Sequence, residues 1–209
     1  LTGDFDADAR SVAAIISALK INMPQAAAIT TAKAKGSVKM RGDTIAITLT
    51  NADAAGEMLT ANYVGSVDIA GETTAAKGQF TASSPSVAQL AEIAKLDIPQ
   101  AAVIGDVSAK GAVDYNGKQA ALTGLDIQTR GDMVNGSFTG SATAGETLGL
   151  SGDFNASATK LTDITQRLGQ DVPYAAAIGT IDAKGRITGA GDDIAINDLT
   201  ASLTGGQLN

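Results

Sequence analysis

The sequence predicts an α+β fold of repeated units, each a strand, a short amphipathic helix and an antiparallel β-meander, joined into an elongated curved sheet or β-groove with helices on one side. Three observations predict it. First, Gly3-Asp4-Phe5, Gly78-Gln79-Phe80 and Gly152-Asp153-Phe154 stand 75 and then 74 residues apart, and Pro24, Pro99 and Pro173 keep those steps, as do Ala34-Lys35-Gly36, Ala109-Lys110-Gly111 and Ala183-Lys184-Gly185. Second, polar and apolar residues alternate over long stretches, which is the period of a half-buried strand. Third, a short segment in each copy carries apolar residues at helical spacing. A periodic chain of this kind is one supersecondary unit copied and stacked. The units are residues 1–74, 75–147 and an incomplete 148–209, in one continuous array, and the chain is expected to be a fragment of a longer protein.

Each unit opens with a strand, Asp4 to Asp8, Gln79 to Ser83 and Asp153 to Ser157, in which polar and apolar residues alternate. The helix follows. Val12, Ile15, Ile16 and Leu19 fall at i, i+3, i+4 and i+7, and Val87, Leu90, Ala91 and Ala94, then Leu161, Ile164, Thr165 and Leu168, repeat the spacing. Ser84-Pro85 reads as an N-cap with proline at the first helical position, and Gly169 as a helix stop. The prolines at 24, 99 and 173 then prevent the helix from resuming. Strands rich in Ile, Val and Thr come next. Val38 and Met40 alternate up to a turn at Arg41-Gly42-Asp43, Ile45, Ile47 and Leu49 alternate beyond it, and Leu59, Ala61, Tyr63, Val67 and Ile69 continue the pattern across Gly65. Asn116-Gly117 and Gly189-Ala190-Gly191-Asp192 supply turn chemistry in the later units. Connections this short make neighbouring strands antiparallel.

The strands of one unit present more apolar residues than a three-turn helix, about 16 Å long, can cover. Either the sheet folds onto itself as a sandwich, which the periodicity favours, or it curls into a trough whose apolar lining meets a non-protein partner such as acyl chains.

Of the 209 residues 44% are hydrophobic and 18% charged, which excludes a disordered chain. Only 3% are aromatic and none is Trp, so the side chains available for a core are small and suit thin layers. A net charge of −7 with scattered Lys and Arg argues against nucleic acid as a partner. The absence of Cys and His removes thiol nucleophiles, thiolate metal sites and the commonest general base. Asp4, Asp6 and Asp8 imitate the start of a calcium loop, but Ala9 and Ile15 stand where the loop needs Gly and Glu, and Gln79, Thr81 and Ser83 replace the three carboxylates in the second unit. Lys35, Lys110 and Lys184 could form a row of cations facing lipid phosphate, yet lysine on the water side of a strand is ordinary. Phe5, Phe80 and Phe154 read as core anchors against the helix. Gly136-Ser137-Phe138-Thr139-Gly140 lacks the central Ser of a nucleophile elbow. No catalytic residue, metal ligand or cofactor is expected, and the chain is read as a non-enzyme.

The opening strand Gly3-Asp4-Phe5-Asp6-Ala7, the helix segment 11–19, Pro24, Ala34-Lys35-Gly36-Ser37-Val38 and Gly42-Asp43-Thr44-Ile45-Ala46-Ile47 together resemble the repeated part of AsmA-like proteins of Gram-negative bacteria. All three units fit. The resemblance implies a periplasmic segment of a protein anchored in the inner membrane by an N-terminal helix, acting in outer-membrane biogenesis, and relatives such as TamB form long β-grooves associated with phospholipid transport. It supplies no catalytic motif. Phospholipid is then the expected partner, and the groove lining would be Val38, Met40, Ile45, Ile47, Leu49, Leu59, Val67 and Ile69, with Val113, Tyr115, Leu122, Leu125 and Ile127 in the next unit. The alternative is a non-catalytic spacer or adhesion-type β-repeat of a surface protein.

Overall fold

The computed structural model describes residues 1–10, 29–71, 73–94, 101, 103–170, 172–173, 175–191 and 193–205. These form one antiparallel sheet of 11 strands whose spatial order is the order of the sequence. The strands are β1 (Thr2–Ala9), β2 (Thr31–Arg41), β3 (Thr44–Ala55), β4 (Thr60–Ala70), β5 (Thr73–Ser84), β6 (Asp106–Tyr115), β7 (Ala120–Arg130), β8 (Val134–Ala144), β9 (Gly149–Thr159), β10 (Ile178–Ala190) and β11 (Asp193–Gly205). Helix α1 (Val87–Ala94) lies between β5 and β6, and α2 (Leu161–Arg167) between β9 and β10. Strand makes up 72% of the described structure and helix 10%, which overturns the expected α+β class in favour of an almost wholly β fold. The sandwich is overturned as well, because the described strands make substantial contact only with their neighbours in the sheet, and no part of it lies against another. The physical reason is that a β-meander needs only short turns and buries its backbone polar groups laterally, so the helices are left as brief excursions between neighbouring strands.

The repeat maps strand onto strand. β1, β5 and β9 are equivalent, as are β2, β6 and β10, then β3, β7 and β11, then β4 and β8, so the unit is four strands with an excursion after the first. The excursion of the first unit, with its helix segment 11–19 and Pro24, lies outside the described residues, as does Pro99. In the second unit the cap is not Ser84. Ser86 Oγ accepts from the Gln89 amide at 3.3 Å, while the buried Ser84 hydroxyl accepts from the Ser86 amide and donates to its carbonyl. In the third, Gly169 at φ +65° ends α2 as expected, with its amide on the Gln166 carbonyl and that of Gln170 on Thr165, the paired bonds of a Schellman motif.

The described parts of the second and third excursions do not form a layer over the sheet. Ile164 of α2 packs with Val103 and Met133 in a small core, joined by Ile104, Val134, Ala158 and Leu168. This core sits at one rim, where the second unit's connector, the β7–β8 turn and α2 meet. It links successive units without covering the faces between them.

Glycines decide how close the strands' side chains can lie. Gly65 and Gly78 are directly opposed on β4 and β5, and a Cβ on either would come within 2.7 Å of the Tyr63 ring or its hydroxyl. Gly140 and Gly152 form the equivalent pair on β8 and β9, where added Cβ atoms would stand 2.9 and 2.6 Å from the Phe138 ring. Each ring therefore lies across two bare backbones. The next aromatic continues the row: Phe5, Phe80 and Phe154 stand opposite Gly36, Gly111 and Gly185. For Phe80 and Phe154 this corrects the expectation that they anchor a helix; the segment expected to meet Phe5 lies outside the described residues. The recurring Gly-x-Phe is a cross-strand device in which Gly receives the preceding ring and Phe reaches the following Gly. Gly78→Ala and Gly152→Ala are expected to destabilise the chain by about 1–3 kcal/mol, the usual cost of forcing an extra carbon into a packed site. Gly3→Ala, at the same motif position but with nothing within 4 Å of its Cβ, should be neutral; urea unfolding midpoints of the three variants make the comparison.

Candidate functional site

The registers assign every strand residue to one of two faces, since directly opposed residues point the same way. One face is apolar across the sheet. A row through its middle runs Val38, Ile47, Val67, Ala76, Tyr115, Ala120 and Ala144, each paired with the next. The other face carries Asp, Lys, Ser, Thr, Asn and Gln. Ile45 faces Met40 and Ile69, Leu49 faces Gly36 and Gly65, Val113 faces Leu122, and Ile127 faces Phe138. Of the residues expected to line a groove, Val38, Met40, Ile45, Ile47, Leu49, Val67, Ile69, Val113, Tyr115, Leu122, Leu125 and Ile127 thus share the apolar face. Leu59 lies just before β4, with its carbonyl accepting from the Gly56 amide.

Keeping one face apolar requires a correction in every unit, because the odd–even parity of the apolar residues switches within β3, β7 and β11. Ile45, Ile47 and Leu49 give way to Ala52 and Ala54; Ala120 and Leu122 to Leu125 and Ile127; Ile194 and Ile196 to Leu199, Ala201 and Leu203. A bulge absorbs the extra residue. The register shifts at Lys35/Gly36, between Lys110 and Ala112, and between Lys184 and Arg186, so the recurrent Ala-Lys-Gly marks the partner side of each bulge. Gly124 and Asp198, equivalent positions on the bulged strands, both have positive φ, 58° and 54°. In the first unit the extra residue is Thr50, whose hydroxyl donates to the Lys35 carbonyl at 3.0 Å.

No large side chain among the described residues is fully buried, and the apolar face is mostly half-covered by its own lateral neighbours. The accessible surface is 13451 Å². A compact protein of 20.8 kDa exposes roughly 8,900 Å². The excess is what a single layer with an uncovered face produces. Among the hydrophobic side chains of the described strands Leu125 alone is buried, 5% exposed where the bulge turns it against Gly111 and Gly140. The Tyr63 hydroxyl donates to the Ser66 carbonyl at 3.0 Å, and burial pushes its ionisation above the usual range.

The polar face is organised by opposite charges across strands. Lys33–Asp8, Lys35–Asp6, Lys77–Asp114, Lys110–Asp126 and Arg186–Asp153 are ion pairs of 2.9 to 3.7 Å, and each joins directly opposed residues. Asp6 and Asp8 are thereby committed to lysines, and no group of metal-ligating side chains occurs among the described residues. A shallow depression of about 530 Å³ on this face is lined by Asp53, Asn62, Lys110, Asp126 and Gln128 with flanking Ser and Thr. Its polar groups are largely spent on one another. Asn62 Nδ2 donates to Asn51 Oδ1 at 2.7 Å and to Asp53 Oδ1 at 2.8 Å, Asn51 donates to Asp53, and Gln128 Nε2 donates to Asp126 at 3.3 Å. The apolar face, with its surface unsatisfied, is the better candidate.

The third unit's share of that face, Leu150, Ile181, Ile187, Ile194, Ile196 and Leu203, was absent from the expected lining, as were Tyr63 and Phe138. The signal was present: the 75- and 74-residue steps carry Ile45 to Ala120 and Ile194, and Ile47 to Leu122 and Ile196. Comparison with protein-family models, with characterised proteins and with solved structures finds no match. No helix among the described residues is long and apolar enough to cross a membrane.

Hydrogen bonds from Lys110 and Gln128 hold the Asp126 carboxyl below its usual range, and those from Asn62 and Asn51 do the same for Asp53. A depressed folded-state pKa stabilises the fold above the unfolded value, 3.8, and that contribution is lost as pH falls through the lower folded value. Asp126→Asn should therefore unfold more easily than wild type at pH 6, with the gap closing below the ordinary carboxylate range; melting temperatures across pH 2 to 7 test this.

Proposed function

We propose that the chain is a periplasmic segment of an AsmA-like protein, with its parent anchored in the inner membrane, that contributes to outer-membrane biogenesis by carrying phospholipid along its apolar sheet face. The observation that supports this reading is the continuity of that face. It extends over all 11 strands, which at about 4.8 Å per inter-strand step is about 48 Å in the hydrogen-bonding direction. Acyl chains laid on it would remove apolar area from water on both sides, and this is the driving force that a single-layer sheet otherwise forgoes.

The mechanism is passive. Side chains on the apolar face are small, aliphatic or aromatic, and the Tyr63 hydroxyl is spent on the Ser66 carbonyl, so an acyl chain meets few hydrogen-bonding groups that would fix it in one place, and translation along the face changes its contacts little. Headgroups stay in water at the rims. No bond is made or broken, and the activity needs neither a nucleophile nor a cofactor. The resemblance of residues 3–47 to AsmA-like repeats supports the periplasmic setting.

Native mass spectrometry of the chain purified from the periplasm of a Gram-negative host tests the reading. Phospholipid adducts are expected on the wild type, and Met40→Asp with Ile47→Asp should lower them about fivefold or more, since a carboxylate on the face must be desolvated by the acyl chain. The circular dichroism spectrum should keep its β-sheet form. A wild type without phospholipid, or unfolding by Ile47→Asp alone, would overturn the proposal in favour of a spacer with a packed core.

A further inference from the structure

The two open edges of the sheet are chemically unlike. β1 carries Asp4, Asp6 and Asp8 on one face and nothing apolar larger than Phe5 on the other, the charged edge that discourages further pairing. β11 is exposed along all 13 residues, with Ile194 68%, Ile196 54%, Leu199 59% and Leu203 66% accessible. Its charges are Asp193 and Asp198 alone. A long apolar edge with unpaired backbone groups is a template for another strand.

The repeat specifies that strand. β3 and β7, the equivalents of β11, each carry a neighbour on the corresponding side, β4 and β8, in the same register. Ile45 faces Ile69 as Ala120 faces Ala144; Ile47 faces Val67 as Leu122 faces Ala142; Ala52 faces Tyr63 as Ile127 faces Phe138. The corresponding β11 residues are Ile194, Ile196 and Ala201. Its backbone already has the required shape, because Asp198 repeats the positive φ of Gly124, where β7 skips pairs with β8.

We infer that the open edge of β11 is a docking site for one further antiparallel strand of the β4/β8 pattern, with an aromatic residue opposite Ala201, a glycine two residues later, and small or β-branched residues reaching Ile196 and Ile194. The strand's other face carries Ser, Thr, Asn or Asp. A second copy of this chain does not fit. Of its two edges, β11 has no aromatic residue to set opposite Ala201, and β1 is the counterpart of β5 and β9, whose place in the order is one strand further along. Head-to-tail copies would omit the strand that β3 and β7 both have.

Because the chain contains no Cys, disulfide trapping reads the register directly. Ile196→Cys protein is mixed with a synthetic peptide of residues 60–70 carrying either Val67→Cys or Ser66→Cys, under mild oxidant. The Val67→Cys peptide should be trapped about tenfold more than the Ser66→Cys peptide, whose side chain points to the other face, and Tyr63→Ala in the former should lower the yield several-fold. β11 is the outermost strand, and circular dichroism verifies that Ile196→Cys leaves the rest of the sheet intact. Equal trapping of the two peptides, or none, overturns the inference, as does preferential formation of protein dimers, which would make a second copy the occupant.

Discussion

An aromatic ring laid across glycine backbones is the contact on which this sheet depends. Tyr63 covers Gly65 and Gly78, and Phe138 covers Gly140 and Gly152. A sheet without a second layer has few ways to bury a large side chain. Placing it flat over residues that lack Cβ atoms lets the sheet use its own surface as the cover. The glycines lose chain entropy on folding, and the ring–backbone contact offsets that loss only where both partners are present.

That contact works together with the bulges. Each unit inserts one residue into its third strand, and without a bulge every later side chain in that strand would be on the wrong face. The apolar and polar surfaces therefore owe their separation to three local irregularities at Lys35/Gly36, Gly111 and Gly185 as much as to the alternation between them. Crossed-strand ion pairs on the wet side, such as Lys110–Asp126, act in the same direction, since a register slip would place those charges opposite the wrong neighbours.

Much of this was legible in the chain. The repeat, the turn at Gly42, the Asn116-Gly117 turn and the strands around Ile45 and Ile127 follow from local pattern, because turn chemistry and period-two alternation are local properties. The fold class did not follow. Helical spacing at Val87 and Leu161 is real and produces α1 and α2, but seven or eight residues of helix in a connector do not make a helical layer. Whether the surplus apolar surface is covered by a second sheet is a long-range matter that no window of sequence contains. Among the candidate site residues, Ile47 and Leu122 were visible by alternation, whereas Ile196 required following the repeat into its third copy. The parity switch that announces each bulge was visible too, as the change from Leu122 to Leu125, and only the registers disclose its meaning.

The unit has four strands, an even number, so each copy begins with a strand running in the same direction as the one before. The operation relating copies is a displacement along the sheet, with no reversal. All excursions consequently leave from one rim, and the opposite rim carries only tight turns such as Gly42, Gly117 and Gly191. The object is thus directional, with an ornamented border and a plain one. Length can vary on the ornamented border, or whole units can be added, without disturbing the lattice of hydrogen bonds between them.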